Sequence, residues 1–189
     1  MRAIASIKKT PRWPQVVLIG FMGAGKSTLG ALLAQQLDAT FLDSDVLMEE
    51  TTGQRIATLF TTLGEPQFRE LEHRVVATVA ARECSVLALG GGAILHQATQ
   101  ELLKSTYVVY LKISPTTAKQ RIEGGADRPL ARSGHLEALL ESRISTYQSM
   151  ASLTLEEHDD ETPAHTLARL VALLPEPYRH HLDSIKSPT

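Results

Sequence analysis

At 189 residues, with 43% apolar and 21% charged side chains, the chain has the size and composition of one globular domain with a substantial core. Its net charge of −2 argues against a general nucleic-acid binder, which carries a basic excess, and its longest apolar and glycine run, 16–25, is too short to span a bilayer. The one cysteine, Cys84, cannot form an internal disulfide and gives no sign of an oxidising compartment, in keeping with a cytoplasmic protein.

Residues 1–14 carry Arg2, Lys8, Lys9 and Arg12 with no acidic partner and no apolar signal-like core, and read as a basic N-terminal tail. A single domain is expected over 15–174. It opens with Gln15 to Ile19, a short β-branched run without polar alternation, the pattern of a strand buried on both faces. The run leads into Gly20-Phe21-Met22-Gly23-Ala24-Gly25-Lys26-Ser27-Thr28. A glycine, four residues and Gly-Lys-Ser, set between strand and helix, is the spacing of a phosphate-binding loop. Glycines let the backbone wrap a polyphosphate with its N–H groups turned inward at a helix start. Lys26 then supplies a mobile cation for the β- and γ-phosphates of a nucleoside triphosphate, and Ser27 a hydroxyl for Mg²⁺.

A helix follows with Leu29, Leu32, Leu33 and Leu37 on one face. Thr40-Phe41-Leu42 reads as a second strand, ending in Asp43-Ser44-Asp45 and a further helix that Gly53 breaks. Helix resumes from Gln54 to Phe60, is interrupted at Gly64-Glu65-Pro66, and continues from Gln67 to Arg82 with Phe68, Leu71, Val75, Val76 and Val79 at near-3.6 spacing. Val86 to Leu89 is a strand running into Gly90-Gly91-Gly92, and Gln97 to Leu103 a helix. Tyr107 to Leu111 is the next strand. Ser114-Pro115 caps a helix reaching about Ile122. The polar stretch 123–134, with Gly124-Gly125 and Arg128-Pro129, reads as a mobile lid. Leu136 to Ser149 (helix), Ser152 to Leu155 (strand) and Pro163 to Leu174 (helix) complete the domain. Residues 175–189, with three prolines and His180-His181, read as a surface C-terminal tail.

Alternating strands and helices predict an α/β fold: a three-layer α/β/α arrangement around a central, mostly parallel five-stranded sheet. Ligands in such sheets sit at the carboxyl ends of the strands. The turns at 20–27, 43–45 and 90–92 all fall on that edge. Asp43 and Asp45 stand two residues apart at a strand end, one to face Mg²⁺ and phosphates and the other an acceptor; otherwise both cap the next helix. The triple glycine is either a flexible turn or a place where a ligand approaches the backbone. Arg121, Arg128 and Arg143 bracket the lid, and a loop arginine there would stabilise a phosphoryl group in flight.

Together these pieces resemble the shikimate kinases, within the nucleoside-monophosphate-kinase-like P-loop group. The resemblance rests on Gly20–Thr28, Phe41-Leu-Asp-Ser-Asp45, Gly64-Glu-Pro-Gln-Phe-Arg-Glu-Leu-Glu72, Leu89-Gly-Gly-Gly-Ala93, Arg128-Pro-Leu130, and Arg143 with Tyr147. It implies ATP-dependent phosphorylation of the 3-hydroxyl of shikimate, toward chorismate and the aromatic amino acids, by a cytoplasmic monomer without nucleic-acid or membrane partners. It further implies that Asp45, Arg69, Gly91, Gly92 and Arg143 hold shikimate, within a substrate-binding segment at about 44–72. Phe60, Phe68 and Pro129 would wall that pocket. Gly23, Ala24, Gly25, Lys26, Ser27, Thr28, Arg121 and Arg128 would bind ATP, with Ser27 and Asp43 on the Mg²⁺ side. Lys26, Asp45 and Arg128 would carry catalysis, Asp45 as an orienting residue first and a base second. The acidic stretch Glu156 to Thr162 carries no motif that assigns a base contact. A gluconate or nucleoside-monophosphate kinase would not need Asp45, Arg69, the triple glycine and Arg143 together. A non-catalytic relative would be expected to lack Lys26, Asp45 or Arg69, and all three are present.

Overall fold

A computed structural model describes residues 12–123, 136–156 and 161–186. Strands β1 (Val16–Ile19), β2 (Thr40–Asp43), β3 (Ser85–Ala88), β4 (Tyr107–Lys112) and β5 (Leu153–Glu156) form one sheet in the order β2-β3-β1-β4-β5. Every pairing is parallel, with Val17 opposite Leu87 on one side and Val108 on the other. The uninterrupted apolar runs follow from this placement, because a central parallel strand is covered on both faces. Alternate residues divide accordingly. Val16, Leu18, Val86, Val109 and Leu111 join the core built with α1 (Lys26–Gln36), α7 (Pro163–Leu173) and α8 (Tyr178–Lys186). Val17, Ile19, Leu87, Val108 and Tyr110 join the opposite core with α4 (Gln97–Leu103) and α6 (Leu136–Met150).

A third, smaller cluster joins α2 (Ser44–Thr52) to α3 (Ile56–Ala77) through Met48, Leu59, Phe68 and Val75. The interruption expected at Gly64 is a kink inside α3, where Gly64 adopts φ 72° and ψ 164°. The long helix ends at Ala77 rather than Arg82. Gln15, buried in the strand entry, takes over the following backbone: its amide donates to Val79 O at 2.9 Å and accepts from Ala81 N at 3.1 Å. Helix α5 (Pro115–Glu123) leads toward the segment expected to be the lid, which lies outside the described residues.

The tail expected over 175–189 is corrected. Most of it is helix α8, whose Tyr178, His181 and Leu182 share one face and are buried. The residues at i, i+3 and i+4 form an amphipathic stripe that docks on Trp13, itself 1% exposed. The Tyr178 and Trp13 rings meet edge to face at 5.4 Å, and the Tyr178 hydroxyl donates to Pro14 O. His181 Nε2 lies 2.8 Å from the Leu37 carbonyl at the end of α1. The basic tail expected over 1–14 therefore ends in a buried anchor, and residues 1–11 lie outside the described set. Among the described residues no helix is long and apolar enough to cross a membrane.

Candidate active site

The turn after β1 lies at the carboxyl edge of the sheet's central strand and opens directly into α1. Gly25 takes φ 76° to make that junction, a conformation that favours glycine. A cleft of about 490 Å³ covers the turn, lined on this side by Gly23 through Leu29. Lys26 is 8% exposed, and its ammonium donates to the carbonyls of Gly20 and Phe21, each at 2.9 Å. The chain thus carries a fixed cation and a helix N-terminus at one point, the combination that suits a polyphosphate.

Asp43 and Asp45 line the same cleft, but not as neighbours on an extended strand. Asp43 ends β2 and is the N-cap of α2; Asp45 stands in the first helical turn. One Asp43 oxygen accepts from Asp45 N at 3.0 Å, and the other accepts from Ser27 Oγ at 2.6 Å. The cap and the phosphate-side roles therefore reside in one residue. Ser27 and Asp43 bring two oxygens together at the mouth of the loop. That donor set fits Mg²⁺, which takes few protein oxygens and completes its shell with phosphate and water. Among the described residues no cluster of three His, Cys, Asp or Glu could cage a metal.

The glycine turn after β3 lines the cleft and also contacts a second group of side chains. Arg69 and Glu72, on the second half of α3, are paired at 2.7 Å, and Glu65 approaches the same guanidinium at 3.2 Å. A Cβ at Gly92 would collide with the Arg69 guanidinium, so only glycine admits Arg69 there. A Cβ at Gly90 would stand 2.6 Å from Glu72 Oε1 and 2.7 Å from Asp45 Oδ1, which shows how near the two carboxylates come. Arg143, 2% exposed, donates to Gly91 O at 3.2 Å, and the Tyr147 hydroxyl donates to the same carbonyl. Arg143 also lies over the ring of Phe21 from the phosphate loop, 5.8 Å from its centroid. Phe60 and Phe68 meet edge to face at 5.1 Å, and Arg69 lies 5.3 Å from the Phe68 centroid. The apolar wall and the arginines expected from the sequence are thus adjacent. Arg128 and Pro129 fall outside the described residues.

Two features of this second group matter chemically. The Nε–H groups of Arg69 and Arg143 are buried with no hydrogen-bond partner among the described residues. A planar guanidinium fork is the group best matched to a carboxylate. The other is Glu72, to which the sequence motif assigned no role. Burial, and then the charge of Asp45, push its carboxyl up to about 7 despite the pull of Arg69 and Arg143. Burial would lower the Arg69 guanidinium, but Glu72 and Glu65 outweigh it and hold it above its ordinary value. Burial also drives the Tyr147 phenol up to about 12, so it stays a hydrogen-bond donor. Glu72 stands on the stripe of Phe68, Val75 and Val76, three residues after Arg69. A charge on that apolar face was the available signal.

At the far end the cleft is closed by Leu155, Glu161, Pro163 and Thr166, with Arg121 also lining it and donating to Gly23 O at 3.2 Å. Arg121 was expected here; the other four were not assigned from sequence.

Residues 22–174 match the family described as shikimate kinase. The chain is 40% identical over 167 residues to a shikimate kinase of Rhodococcus jostii (strain RHA1), covering 86% of this chain and 99% of that relative. It is 41% identical over 161 residues to one from Thermobifida fusca (strain YX), covering 82% and 94%. The solved structure of shikimate kinase from Acinetobacter baumannii in complex with shikimate has a TM-score of 0.77 at 36% identity, over 84% of this chain and 90% of that one. With the parallel sheet, the phosphate loop and the paired arginines all in place, the chain belongs to the shikimate kinase family.

Proposed function

We propose that the chain transfers the γ-phosphoryl group of ATP to the 3-hydroxyl of shikimate, giving ADP and shikimate 3-phosphate on the route to chorismate and the aromatic amino acids. The observation that carries this reading is the pair of largely buried arginines, Arg69 and Arg143, held at the glycine turn that lines the phosphate-loop cleft with Asp45. A carboxylate bearing several hydroxyls is the acceptor that suits two arginine forks and one aspartate.

In this assignment Gly23, Ala24, Gly25, Lys26, Ser27 and Thr28 hold the triphosphate and Arg121 borders the adenine. Arg69 and Arg143 bind the shikimate carboxylate, the backbone of Gly91 and Gly92 lies against the ring, and Phe60 and Phe68 form its apolar wall. Asp45 orients the attacking hydroxyl. The acceptor oxygen bonds to phosphorus as the bond to ADP breaks, and the hydroxyl proton leaves toward Asp45. Lys26 stabilises the charge that spreads over the transferring group. The loose transition state asks little of a base early on, so positioning dominates. Ser27 and Asp43 are the residues suited to Mg²⁺, which when bound would neutralise the β- and γ-phosphoryl oxygens. Arg128 and Pro129 are assigned to the lid side on the family resemblance alone. We take the enzyme to be a cytoplasmic monomer without nucleic-acid or membrane partners.

A coupled ADP-release assay with shikimate, gluconate and nucleoside monophosphates in parallel tests the assignment. Shikimate is expected to be the one acceptor turned over efficiently. Equal or faster turnover of gluconate or a nucleotide would refute it.

A further inference from the structure

Helix α3 meets the segment after β3 at two levels, one helical turn apart. At the first, Arg69 lies against Gly92. At the second, His73 and His96 stack, with ring centroids 4.6 Å apart and planes 17° from parallel. Residues 69 and 73 share a helix face, and residues 92 and 96 flank the short 3₁₀ turn Ala93–Leu95. The two contacts form one seam, so a change that opens the second strains the first. The phosphoryl-transfer chemistry makes no use of the imidazoles.

The surroundings of the stack suit two neutral rings. His73 Nδ1 lies 3.1 Å from the hydroxyl of Thr99, a buried residue of α4. His96 Nδ1 is buried with no hydrogen-bond partner among the described residues. A protonated imidazole donates from both nitrogens, and a buried charged donor without an acceptor is costly. Protonating both rings would also set two cations face to face. Glu70 of α3 stands 3.5 Å from His96 Nε2, but it is half exposed and lies 3.6 Å from Arg74 as well. An exposed, shared carboxylate offsets little of that cost. On α4, Glu101 is paired with Lys104. Helix α6 packs on the same segment, and its Arg143 and Tyr147 both turn to Gly91 O. Arg69 is a further cation one turn away.

Histidine is the side chain whose charge changes between about pH 5 and 8. We infer that His73 and His96 are positioning residues for the acceptor arginine: their neutral stack seats α3 on the glycine turn, and protons entering it loosen Arg69. This deepens the acceptor reading and rests on Arg69 binding the shikimate carboxylate. A displacement of about 1 Å in a group that holds a ligand can cost up to about 100-fold.

Calorimetric titration of the full chain with shikimate, from about pH 8 to about pH 5.5, spans the window in which imidazoles charge. Wild-type affinity is expected to fall at least about fivefold toward the acid end, the lower range of couplings between two sites. By the same linkage, shikimate should release protons at the acid end, read by repeating the titration in two buffers of different ionisation enthalpy. Glu72 acts with the opposite sign, since a neutral Glu72 leaves more of the Arg69 charge to the ligand. His96→Phe keeps a ring against His73 and removes both the buried nitrogen and the second cation. Its affinity should no longer fall with pH, and the proton release should vanish. A wild-type affinity that is flat or rises toward the acid end, or proton uptake on binding, would overturn the inference. So would a fall of the same slope in His96→Phe, which would make the stack a packing contact only. In those cases shikimate still binds and the acceptor reading stands, whereas no binding of shikimate at any pH would refute both.

Discussion

Arg69 meets its acceptor already flanked by two carboxylates of its own, Glu72 at 2.7 Å and Glu65 at 3.2 Å. Its positive charge is therefore shared with groups of the protein, and what it offers a ligand above all is geometry, a planar fork. Arg69→Lys keeps the charge and removes the fork. It is expected to weaken shikimate binding by at least about tenfold, as for one charged hydrogen bond, and to leave ADP affinity within about twofold by calorimetry. A matching loss of both affinities would contradict the division between donor and acceptor sides. Glu72 predicts a pH effect. Its carboxyl stands at about 7 in the folded chain against an ordinary 4.5. Between those values the folded chain holds a proton that the unfolded chain releases. Stability thus falls as pH rises through that window and levels off above it. Glu72→Gln should flatten the decline in melting temperature between pH 4.5 and 7, and an unchanged slope would show that Glu72 does not titrate there. Arg69, Asp45 and Lys26 were legible because each lies in a motif of fixed spacing. Glu72 was legible only as a charge on the apolar stripe of α3, because its closeness to Asp45 and the glycine turn is a contact that helical spacing alone does not reveal.

At the scale of elements, the site is three strand ends and the backs of two helices. The glycine turn at 90–92 is where they meet, since Gly90 lies against Asp45 and Glu72, Gly91 takes Arg143 and Tyr147, and Gly92 admits Arg69. Gly92→Ala is expected to displace the Arg69 guanidinium. Shikimate affinity should fall at least tenfold, the order of one charged hydrogen bond, and ATP affinity should be nearly unchanged. Retained shikimate affinity in a titration would mean that Arg69 is not held against this turn in solution. The strands were readable from their uninterrupted apolar runs, since a strand covered on both faces needs no polar side. Two boundaries were not. Helix α2 begins at Ser44, so Asp43 and Asp45 part by a change from strand to helix. Helix α3 ends early because Gln15, more than sixty residues away in sequence, claims the backbone after it.

The whole molecule is closed by α8, beyond the region that matches the family. Prolines and paired histidines made that stretch look like a tail, while the Trp13 surface that receives it lies at the other end of the chain. Tyr178→Ala removes a ring that is 2% exposed and should cost about 3–5 kcal/mol of stability, as for other buried aromatics. Turnover at a permissive temperature should stay within about twofold, since α8 contributes no lining residue to the cleft. A denaturant series with parallel assays checks both, and a proportional fall in turnover would mean that α8 acts on the site as well as on the fold. The turn at Gly91 has a wider consequence. A Cβ there would stand 3.3 Å from Met22 N of the phosphate loop, while its carbonyl serves the opposite side. The Gly91 peptide is therefore packed against the phosphate loop while its carbonyl anchors Arg143 and Tyr147. Redesign toward a new acceptor has to work from α2, α3 and α6, because even a methyl group at this turn would press on the phosphate loop.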